Sequence, residues 1–216
     1  MENALVIGAS GGIGAALADA LAATYHVARL SRSHDGLDVA DPASVAAHLD
    51  PLAGPFARLM IATGILAPDG HTPEKSLDAI DADAMARTFA VNAIGPALAL
   101  QAVAGKLTDD AKVGVLTARV GSIGDNRMGG WYSYRASKAA ANQIVHGAAI
   151  EIGRRRKGAV VVALHPGTVE TPFTEGYTAK KLAPADSAAR LLDVLDGLTP
   201  RQSGGFFDYA GEAIEW

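Results

Sequence analysis

The stretch Ala4-Leu-Val-Ile-Gly-Ala-Ser-Gly-Gly-Ile-Gly14 decides the fold of this chain. Its first four residues are an apolar run that stops at a glycine, as buried parallel strands do. Residues 15–23, rich in alanine and leucine, follow the glycines with a helical pattern. A strand, a glycine-rich turn and a helix in this order form the context that a dinucleotide-binding fingerprint requires.

The glycines of this turn divide the work of binding a dinucleotide. Gly8 permits the tight turn, Gly12 lets the backbone approach the pyrophosphate, and Gly14 allows close packing of helix and strand. The free N–H groups and the positive dipole end of the helix then face the phosphates. Ser10 is placed to add a hydroxyl. A glycine-rich turn without a ligand is the alternative interpretation.

Apolar runs and helical patterns alternate along the rest of the chain. We predict further strands at residues 26–30, 37–39, 58–62, 113–117, 159–164 and 204–210. We predict further helices at residues 42–50, 82–107, 134–152 and 185–197. This alternation predicts an α/β fold, a single-domain Rossmann-type doubly wound parallel sheet with helices on both faces, over residues 1–216.

The end of the second predicted strand indicates which dinucleotide is bound. An acidic residue there would accept hydrogen bonds from the adenosine ribose of NAD, and none is present in Ser31-Arg32-Ser33. Arg32 with the flanking serines suits a 2′-phosphate, so NADP(H) is favoured and NAD(H) is the other option. A solvated arginine at a strand end is the competing interpretation.

Tyr134 and Lys138 are predicted to lie one helical turn apart on one face, because good helix formers follow them. Their Cβ atoms are then about 5–6 Å apart. At an effective dielectric of ~20, an ammonium at ~5 Å lowers the pKa of a phenol by roughly two, through about 3 kcal/mol of interaction. That makes Tyr134 a candidate general acid–base group. Taken alone, the pair also fits an ordinary helical surface pair.

Bulk properties exclude several classes of function. The net charge of −4 argues against a nucleic-acid or anionic-membrane surface. The absence of cysteine removes disulfides and thiolate sites, and the six histidines lack metal-ligand spacing, so no metal site is expected. We see no signal peptide and no apolar segment of the ~18 residues that a membrane span needs. These observations predict a cytoplasmic protein.

The glycine spacing Gly-x3-Gly-x-Gly, together with Tyr134 and Lys138, resembles the short-chain dehydrogenase/reductase family. The run Gly-Gly-Trp-Tyr-Ser-Tyr-Arg-Ala-Ser-Lys over residues 129–138 is similar to the C-factor and sniffer branch of its carbonyl-reductase-like members. The resemblance covers nearly the whole chain. It implies hydride transfer between a nicotinamide and a carbonyl or alcohol substrate, with Tyr134 as general acid–base and Lys138 on the nicotinamide ribose.

The resemblance also implies roles for other residues. Asn92, four residues before a mid-helix Pro96, matches the asparagine that holds a water in the proton path. The family's Asn-Asn-Ala-Gly is reduced here to a glycine after Thr63. The cofactor-binding set implied in this way, with the residues already named, is Gly8, Ser10, Gly12, Ile13, Gly14, Ser31, Arg32, Asp38, Val39, Thr63, Gly64, Asn92, Tyr134, Lys138, Pro166, Gly167, Val169 and Thr171.

The family also needs a serine to hydrogen-bond the substrate carbonyl, usually at the strand end about 13 residues before the tyrosine. Here that count falls on Gly121, and alignment of the strand ends places Ala118 at the serine position. Ser122 is therefore the first candidate and Thr117 the fallback. The implied catalytic set is Asn92, Ser122, Tyr134 and Lys138.

Two other functions stay open at this point. One is a dinucleotide-sensing regulatory or signalling protein with little turnover, whose hallmark would be loss of the tyrosine or lysine. The other is a structural subunit that kept only the fold. The expected partners are a small carbonyl or alcohol substrate and further copies of the chain, as a homodimer or homotetramer. No nucleic acid and no membrane is expected.

Overall fold

The apolar runs form the strands of one sheet. The computed structural model describes residues 1–178 and 180–216 of the chain. Its strands are β1 (Asn3–Ile7), β2 (His26–Leu30), β3 (Phe56–Ile61), β4 (Leu107–Leu116), β5 (Val160–His165) and β6 (Phe206–Asp208). They pair in the order β2-β1-β3-β4-β5-β6, and every neighbouring pair is parallel.

The helices connect these strands. They are α1 (Gly12–Leu21), α2 (Arg32–Asp35), α3 (Pro42–Leu49), α4 (Ala82–Phe89), α5 (Gly95–Val103), α6 (Tyr132–Arg155) and α7 (Pro184–Gly197). A π-helical turn, Ala90–Ile94, joins α4 to α5. Pro96 has no N–H to donate to the carbonyl four residues earlier, so the regular α-helical pattern is interrupted before it. The π-helical turn is the form that this interruption takes.

Both faces of the sheet are covered by helices. Leu5 and Ile7 face a core cluster to which α3, α5 and α6 contribute buried side chains. Ala4 and Val6 face the opposite cluster, which contains side chains from α1 and α7. Because successive strand residues point to opposite faces, a strand buried on both sides reads as a continuous apolar run. The predicted fold class, a doubly wound parallel sheet, is confirmed.

The strand predicted at residues 37–39 is absent, and that prediction is wrong. Gly36 ends the single turn α2 in a left-handed conformation, and Leu37 and Val39 enter the core from an irregular segment. A parallel neighbour of β2 requires a crossover of a dozen or more residues. Only residues 31–36 separate β2 from Leu37, so the chain cannot return to the start of the sheet, and β2 remains an edge strand.

One helical stretch contradicts the expectation about membrane spans. Residues Ala82–Lys106 run as a continuous 25-residue helical stretch that contains an 18-residue window with a mean hydropathy of 1.3, long and apolar enough to cross a membrane. Buried core helices of water-soluble proteins meet the same criterion. Here Ala99, Leu100 and Val103 are buried in the core against the sheet, and α5 packs on α3 and α6.

Candidate active site

The candidate site lies where the carboxyl ends of β1, β3, β4 and β5 meet at one edge of the sheet. In parallel sheets this edge is where ligands bind. β1 leads into the glycine turn, β3 into Thr63 and Gly64, β4 into Thr117, and β5 into Pro166 and Gly167. The topology thus assembles segments that are separated by up to about 160 residues in the chain.

The glycine turn has the geometry that the sequence predicts. Gly8 has φ +89°, and its N–H donates to the carbonyl oxygen of Leu30 at 2.8 Å. A Cβ on Gly14 would overlap the carbonyl oxygen of Gly8, so only glycine lets α1 begin this close to β1. The N–H groups of the first turn of α1 have no partners within the helix and form an anion-binding end.

The segment after β5 packs directly on this turn. A Cβ on Gly12 would lie 2.6 Å from Cγ2 of Thr171, so the two predicted cofactor-binding segments touch. Val169 is buried and pairs with Leu182. The carbonyl oxygen of Pro166 accepts a hydrogen bond of 2.8 Å from the Ser187 hydroxyl on α7. Thr171 therefore sits where a pyrophosphate on the α1 N-terminus would meet it.

Of the three residues after β2 that were predicted to suit a 2′-phosphate, Ser31 is not exposed as such a site requires. Arg32 and Ser33 are exposed, as a 2′-phosphate site requires. Ser31 is buried, and its hydroxyl and its N–H both donate to the carboxylate of Asp35. Pattern reasoning missed Asp35, which lies one helical turn further along. Its carboxylate is bound to Ser31, so it holds α2 rather than standing free for a ribose.

Asp38 and Val39 follow this turn. The Asp38 carboxylate is exposed and accepts a hydrogen bond from the N–H of Ala40 at 2.9 Å. Val39 is buried against α5, where a Cβ on Gly95 would lie 2.8 Å from its Cγ2. The Val39 side chain therefore belongs to the core.

Tyr134 and Lys138 occupy the first two turns of α6 and are buried, with 6% and 4% of their surfaces exposed. The Lys138 Nζ lies 5.9 Å from the centre of the Tyr134 ring and donates to the carbonyl oxygen of Leu116 at 3.3 Å. A Cβ on Gly64 would lie 3.0 Å from the same Nζ. The predicted pair is therefore brought to the carboxyl edge of the sheet.

Burial sets the protonation of this pair, and its direction opposes the expectation for Tyr134. Desolvation, with a smaller contribution from Tyr177, raises the pKa of the Tyr134 phenol above its ordinary value. Burial lowers the pKa of Lys138 to about 8. The predicted acidification of the phenol by the lysine is not seen in this conformation, because the penalty for a buried phenolate exceeds the attraction.

Aromatic side chains exclude water from the phenol. The ring of Trp131 meets the Tyr134 ring edge-on at 6.1 Å between centroids, and Phe173 lies 5.9 Å away on another side. Tyr177 packs on Trp131 at 6.1 Å. Phe173 and Tyr177 come from the segment after β5, so displacing that segment would rehydrate the phenol.

Asn92 connects two walls of the site from within the π-helical turn. Its side-chain oxygen accepts from the N–H of Ile65 at 2.8 Å, and its nitrogen donates to the Ile65 carbonyl at 2.9 Å. The same nitrogen donates to the Ser137 hydroxyl at 3.1 Å. Asn92 thus joins the loop after β3 to α6. A Cβ on Gly64 would lie 3.3 Å from the Asn92 oxygen, which puts that oxygen near Lys138.

The two candidates for orienting a carbonyl differ in their hydrogen bonds. The Ser122 hydroxyl oxygen accepts from the N–H of Asp125 at 3.0 Å and caps its own turn. The Thr117 hydroxyl is buried, and within the part of the chain that is described it has no hydrogen-bond partner. A buried hydroxyl without a partner costs stability, and a ligand oxygen can restore the bond.

Thr117 belongs to a row of such groups. Among residues 1–178 and 180–216, the buried atoms without a partner include Thr63 Oγ1, Thr117 Oγ1 and His165 Nδ1. They lie at the carboxyl ends of three adjacent strands, β3, β4 and β5. Burial lowers the pKa of His165 to about 4, and the positive charge of Arg119 makes a smaller contribution in the same direction. The His165 imidazole is therefore neutral near pH 7. His165 was missed because a lone histidine before Pro-Gly has no recognisable spacing.

These features fit a dinucleotide with a nicotinamide end. The α1 N-terminus suits the pyrophosphate, and the row of unpartnered groups suits a polar ligand across the strand ends. A lysine ammonium has three donors, and in the described residues Leu116 supplies the one acceptor that Nζ reaches. The remaining donors suit ribose hydroxyls. No group of three or more His, Cys, Asp or Glu side chains that would hold a metal ion occurs in the described part of the chain.

Sequence comparison identifies the class to which this fold and site belong. Residues 2–182 match the family model described as short chain dehydrogenase. The chain belongs to the short-chain dehydrogenase/reductase family, and it has the oxidoreductase fold of that family. The resemblance inferred from the motifs is confirmed.

Two curated relatives and two solved structures show the range of similar proteins. The chain is 40% identical over 139 residues to 1-hydroxy-2-glutathionyl-2-methyl-3-butene dehydrogenase of Rhodococcus sp. (strain AD45), over 63% of this chain and 61% of that protein. The matched part thus spans about six-tenths of that relative. It is 41% identical over 143 residues to C-signal of Myxococcus xanthus, over 65% of this chain and 84% of that protein.

Among solved structures, NADPH-bound carbonyl reductase from chicken fatty liver superposes with a TM-score of 0.81 at 25% identity, over 100% of this chain and 99% of the other. Carbonyl reductase Sniffer of D. melanogaster superposes with a TM-score of 0.82 at 21% identity, over 100% of both chains. The second likeness concerns the fold alone. The similarity to C-signal agrees with the branch to which the motif of residues 129–138 is similar.

Proposed function

We propose that this protein is an NADP(H)-dependent oxidoreductase that interconverts a carbonyl compound and its alcohol. The observation that carries the proposal is the meeting of Tyr134, Lys138 and the unpartnered Thr117 hydroxyl at the carboxyl edge of the sheet, beside the glycine turn. When bound, NADP(H) supplies or accepts the hydride, and the protein supplies orientation and electrostatics.

Tyr134 is the proposed general acid–base group. It gives its phenolic proton to the oxygen of the carbonyl being reduced, or takes that proton in the reverse direction. While Trp131 and Phe173 cover the phenol, burial holds the pKa of Tyr134 too high for proton transfer near neutral pH. Opening of the segment that contains Phe173 and Tyr177 would admit substrate and water, and the Lys138 ammonium would then favour the phenolate.

Lys138, Thr117 and Asn92 support this step. Lys138 donates to ribose hydroxyls with the N–H groups that Leu116 does not use. Thr117 is the proposed donor to the substrate oxygen, ahead of Ser122, because its hydroxyl lacks a partner whereas that of Ser122 caps a turn. Asn92 fixes the loop at Ile65 against α6. Its proposed role of holding a water in the proton path follows from the family resemblance.

The preference for NADP(H) rests on the exposed Arg32 and Ser33 after β2. A guanidinium there binds a 2′-phosphate. The NADPH-bound carbonyl reductase of similar structure supports the same cofactor. The other cofactor-contacting residues proposed are those of the glycine turn and of the segment from Pro166 to Thr171.

The family resemblance supplies the remaining proposals. Residues 1–216 form one domain that holds both cofactor and substrate, the substrate is a small molecule, and copies of the chain assemble as a homodimer or homotetramer in the cytoplasm. Neither a nucleic acid nor a membrane is a proposed partner.

A coupled assay tests the proposed function. Oxidation of NADPH is followed at saturating cofactor with a panel of aldehydes, ketones and quinones, and NADPH affinity is measured separately by fluorescence titration. Turnover of any member supports the oxidoreductase. Tight NADPH binding without turnover on the whole panel contradicts it.

That last outcome would favour a second function, a dinucleotide-sensing regulator. The burial of Tyr134 under Phe173 and Trp131, which raises its pKa, is the observation that favours it. The similarity to C-signal points the same way. Absence of NADPH binding would contradict both functions.

A further inference from the structure

The start of α6 lacks a cap of its own. The residue before the helix, Trp131, has φ 53° and ψ 42°, and among the described residues it is the sole non-glycine with a positive φ. Its side chain makes no capping hydrogen bond. The first N–H groups of any helix need partners from outside it. Here those partners come from another part of the chain.

Glu74, in the loop between β3 and α4, supplies them. Its backbone carbonyl accepts from the N–H of Trp131. Its carboxylate accepts from the N–H of Ser133 at 3.2 Å, and the Ser133 hydroxyl donates to the other carboxylate oxygen. Glu74 and Ser133 are 59 positions apart in the chain. Glu74 is 8% exposed, and a buried carboxylate is stable at the positive end of a helix.

The contacts of Glu74 flank Tyr134. Ser133 directly precedes Tyr134, and the Trp131 ring packs edge-on against the Tyr134 ring. Glu74 therefore holds both the backbone from which Tyr134 projects and the aromatic wall beside it. A displacement of a reacting group by about 1 Å can cost on the order of 10²-fold in rate. Hydrogen bonds that hold the first turn of α6 in place therefore also hold the Tyr134 phenol in place.

We propose that Glu74 is a positioning residue for the reaction: it fixes the first turn of α6 and Trp131, and through them the direction of the Tyr134 phenol. The inference rests on the proposed oxidoreductase function. Glu74 itself contacts neither substrate nor cofactor in this role, and its effect passes through the hydrogen bonds to Trp131 and Ser133.

The structure offers a matched control in Asp81. Its carboxylate caps α4 by accepting from the N–H of Ala84 at 2.7 Å. Asp81 and Glu74 line the same small cavity, of about 20 Å³. Each carboxylate caps the start of a helix, and replacing either residue with alanine enlarges this cavity. They differ in the helix that they hold, since Asp81 has no bond to α6 among those described.

The experiment compares Glu74→Ala, Glu74→Gln and Asp81→Ala with the wild-type protein. We measure kcat and KM with a carbonyl compound that the wild type reduces, the Kd for NADPH, and the midpoint of thermal unfolding. Glu74→Ala is expected to lower kcat about tenfold or more with the NADPH Kd within about twofold. Glu74→Gln, whose amide oxygen still accepts a hydrogen bond, restores most of kcat. Asp81→Ala keeps kcat near the wild-type value at a similar loss of thermal stability.

A second readout does not depend on turnover. Trp131 and Trp216 are the two tryptophans of the chain, so in a Trp216→Phe background the emission reports Trp131 alone. Glu74→Ala should shift this emission, and Asp81→Ala should leave it unchanged. The proposal is overturned by an unchanged kcat and emission in Glu74→Ala, or by losses of kcat that follow thermal stability alone in both alanine variants. A wild type without turnover would remove the proposed function, while the emission would still decide whether Glu74 holds Trp131.

Discussion

Lys138 donates from its Nζ to the carbonyl oxygen of Leu116, across 3.3 Å, in a part of the molecule from which water is excluded. One backbone acceptor compensates a buried ammonium only in part, which is why burial lowers its pKa to about 8. Stability is thus given up at a position that the proposed function requires. Groups that bind ligands often destabilise the protein that carries them.

Lys138→Met should stabilise the protein without cofactor at pH 7 while abolishing turnover. The folded-state pKa of about 8 lies below the unfolded value near 10.4, so the unfolded chain binds more protons between them and wild-type stability rises with pH in that window. The variant should be more stable by about 3 kcal/mol at pH 7 and by about 1 kcal/mol at pH 9.5. Urea unfolding at both pH values measures this gap. A gap that is the same at both would contradict the lowered pKa.

Tyr134→Phe should remove turnover and leave NADPH binding intact. The ring keeps its packing against Trp131 and Phe173, and only the transferable proton is lost. General acid–base groups contribute about 10²–10⁴-fold to rate. Steady-state kinetics and a fluorescence titration of NADPH separate the two effects. Turnover equal to that of the wild type would eliminate Tyr134 as the proton donor.

Thr117→Val should lower kcat more than Ser122→Ala does. Valine matches the shape of threonine but cannot donate to a substrate oxygen, and loss of such a donor costs about 10²–10³-fold in kcat. Ser122→Ala removes the hydroxyl oxygen that accepts a hydrogen bond from the Asp125 N–H, and it should mainly lower thermal stability. The measurement is kcat for one carbonyl compound with each variant. The reverse ranking would return the carbonyl-orienting role to Ser122.

Gly14→Ala should destabilise the protein and weaken NADPH binding, because its Cβ would overlap the carbonyl oxygen of Gly8. Gly153→Ala, in α6, is the matched control, since nothing lies within 4 Å of the added Cβ. There the same substitution should stabilise the helix by about 0.5–1 kcal/mol. Thermal unfolding of both variants provides the comparison. Equal midpoints would mean that α1 and β1 are less tightly packed than described.

Arg32→Ala should weaken binding of NADPH and leave binding of NADH nearly unchanged. Arg32 is exposed directly after β2, where we propose that the 2′-phosphate binds. A hydrogen bond to a charged group contributes about 1.5–3 kcal/mol, or roughly 10–100-fold in Kd. Titrations with both cofactors measure the ratio. A parallel loss for NADPH and NADH would place the 2′-phosphate elsewhere.

Most of the fold is predictable from local patterns, and the exceptions have physical causes. The apolar runs of β1 and β5 identify themselves because a strand buried on both faces tolerates few polar side chains. Residues 37–39 also look like a strand, yet the preceding connection is too short for a parallel crossover. That constraint lies in the length of the chain between elements rather than in the residues of the element.

The candidate site divides in the same way. The glycine turn and the spacing of Tyr134 and Lys138 could be read from the sequence, because steric overlap at Gly14 and one turn of helix are local properties. Asn92 was predicted from the neighbouring proline and the family resemblance. Glu74, Asp35 and His165 could not be predicted from the sequence. No residue spacing indicates a carboxylate that caps a helix 59 residues away, or an imidazole nitrogen that folding leaves without a partner.

The sequence by itself determined the glycine turn, the alternation of strands and helices, and the placing of a phenol and an ammonium on one face of a helix. Only the tertiary structure shows that burial shifts the pKa values of that pair, that the Thr117 hydroxyl lacks a partner whereas that of Ser122 has one, and that Glu74 accepts hydrogen bonds at the start of α6. The physical reason is the range of the forces. Backbone sterics act over a few residues, whereas desolvation and hydrogen-bond satisfaction depend on every segment that folding brings against a group.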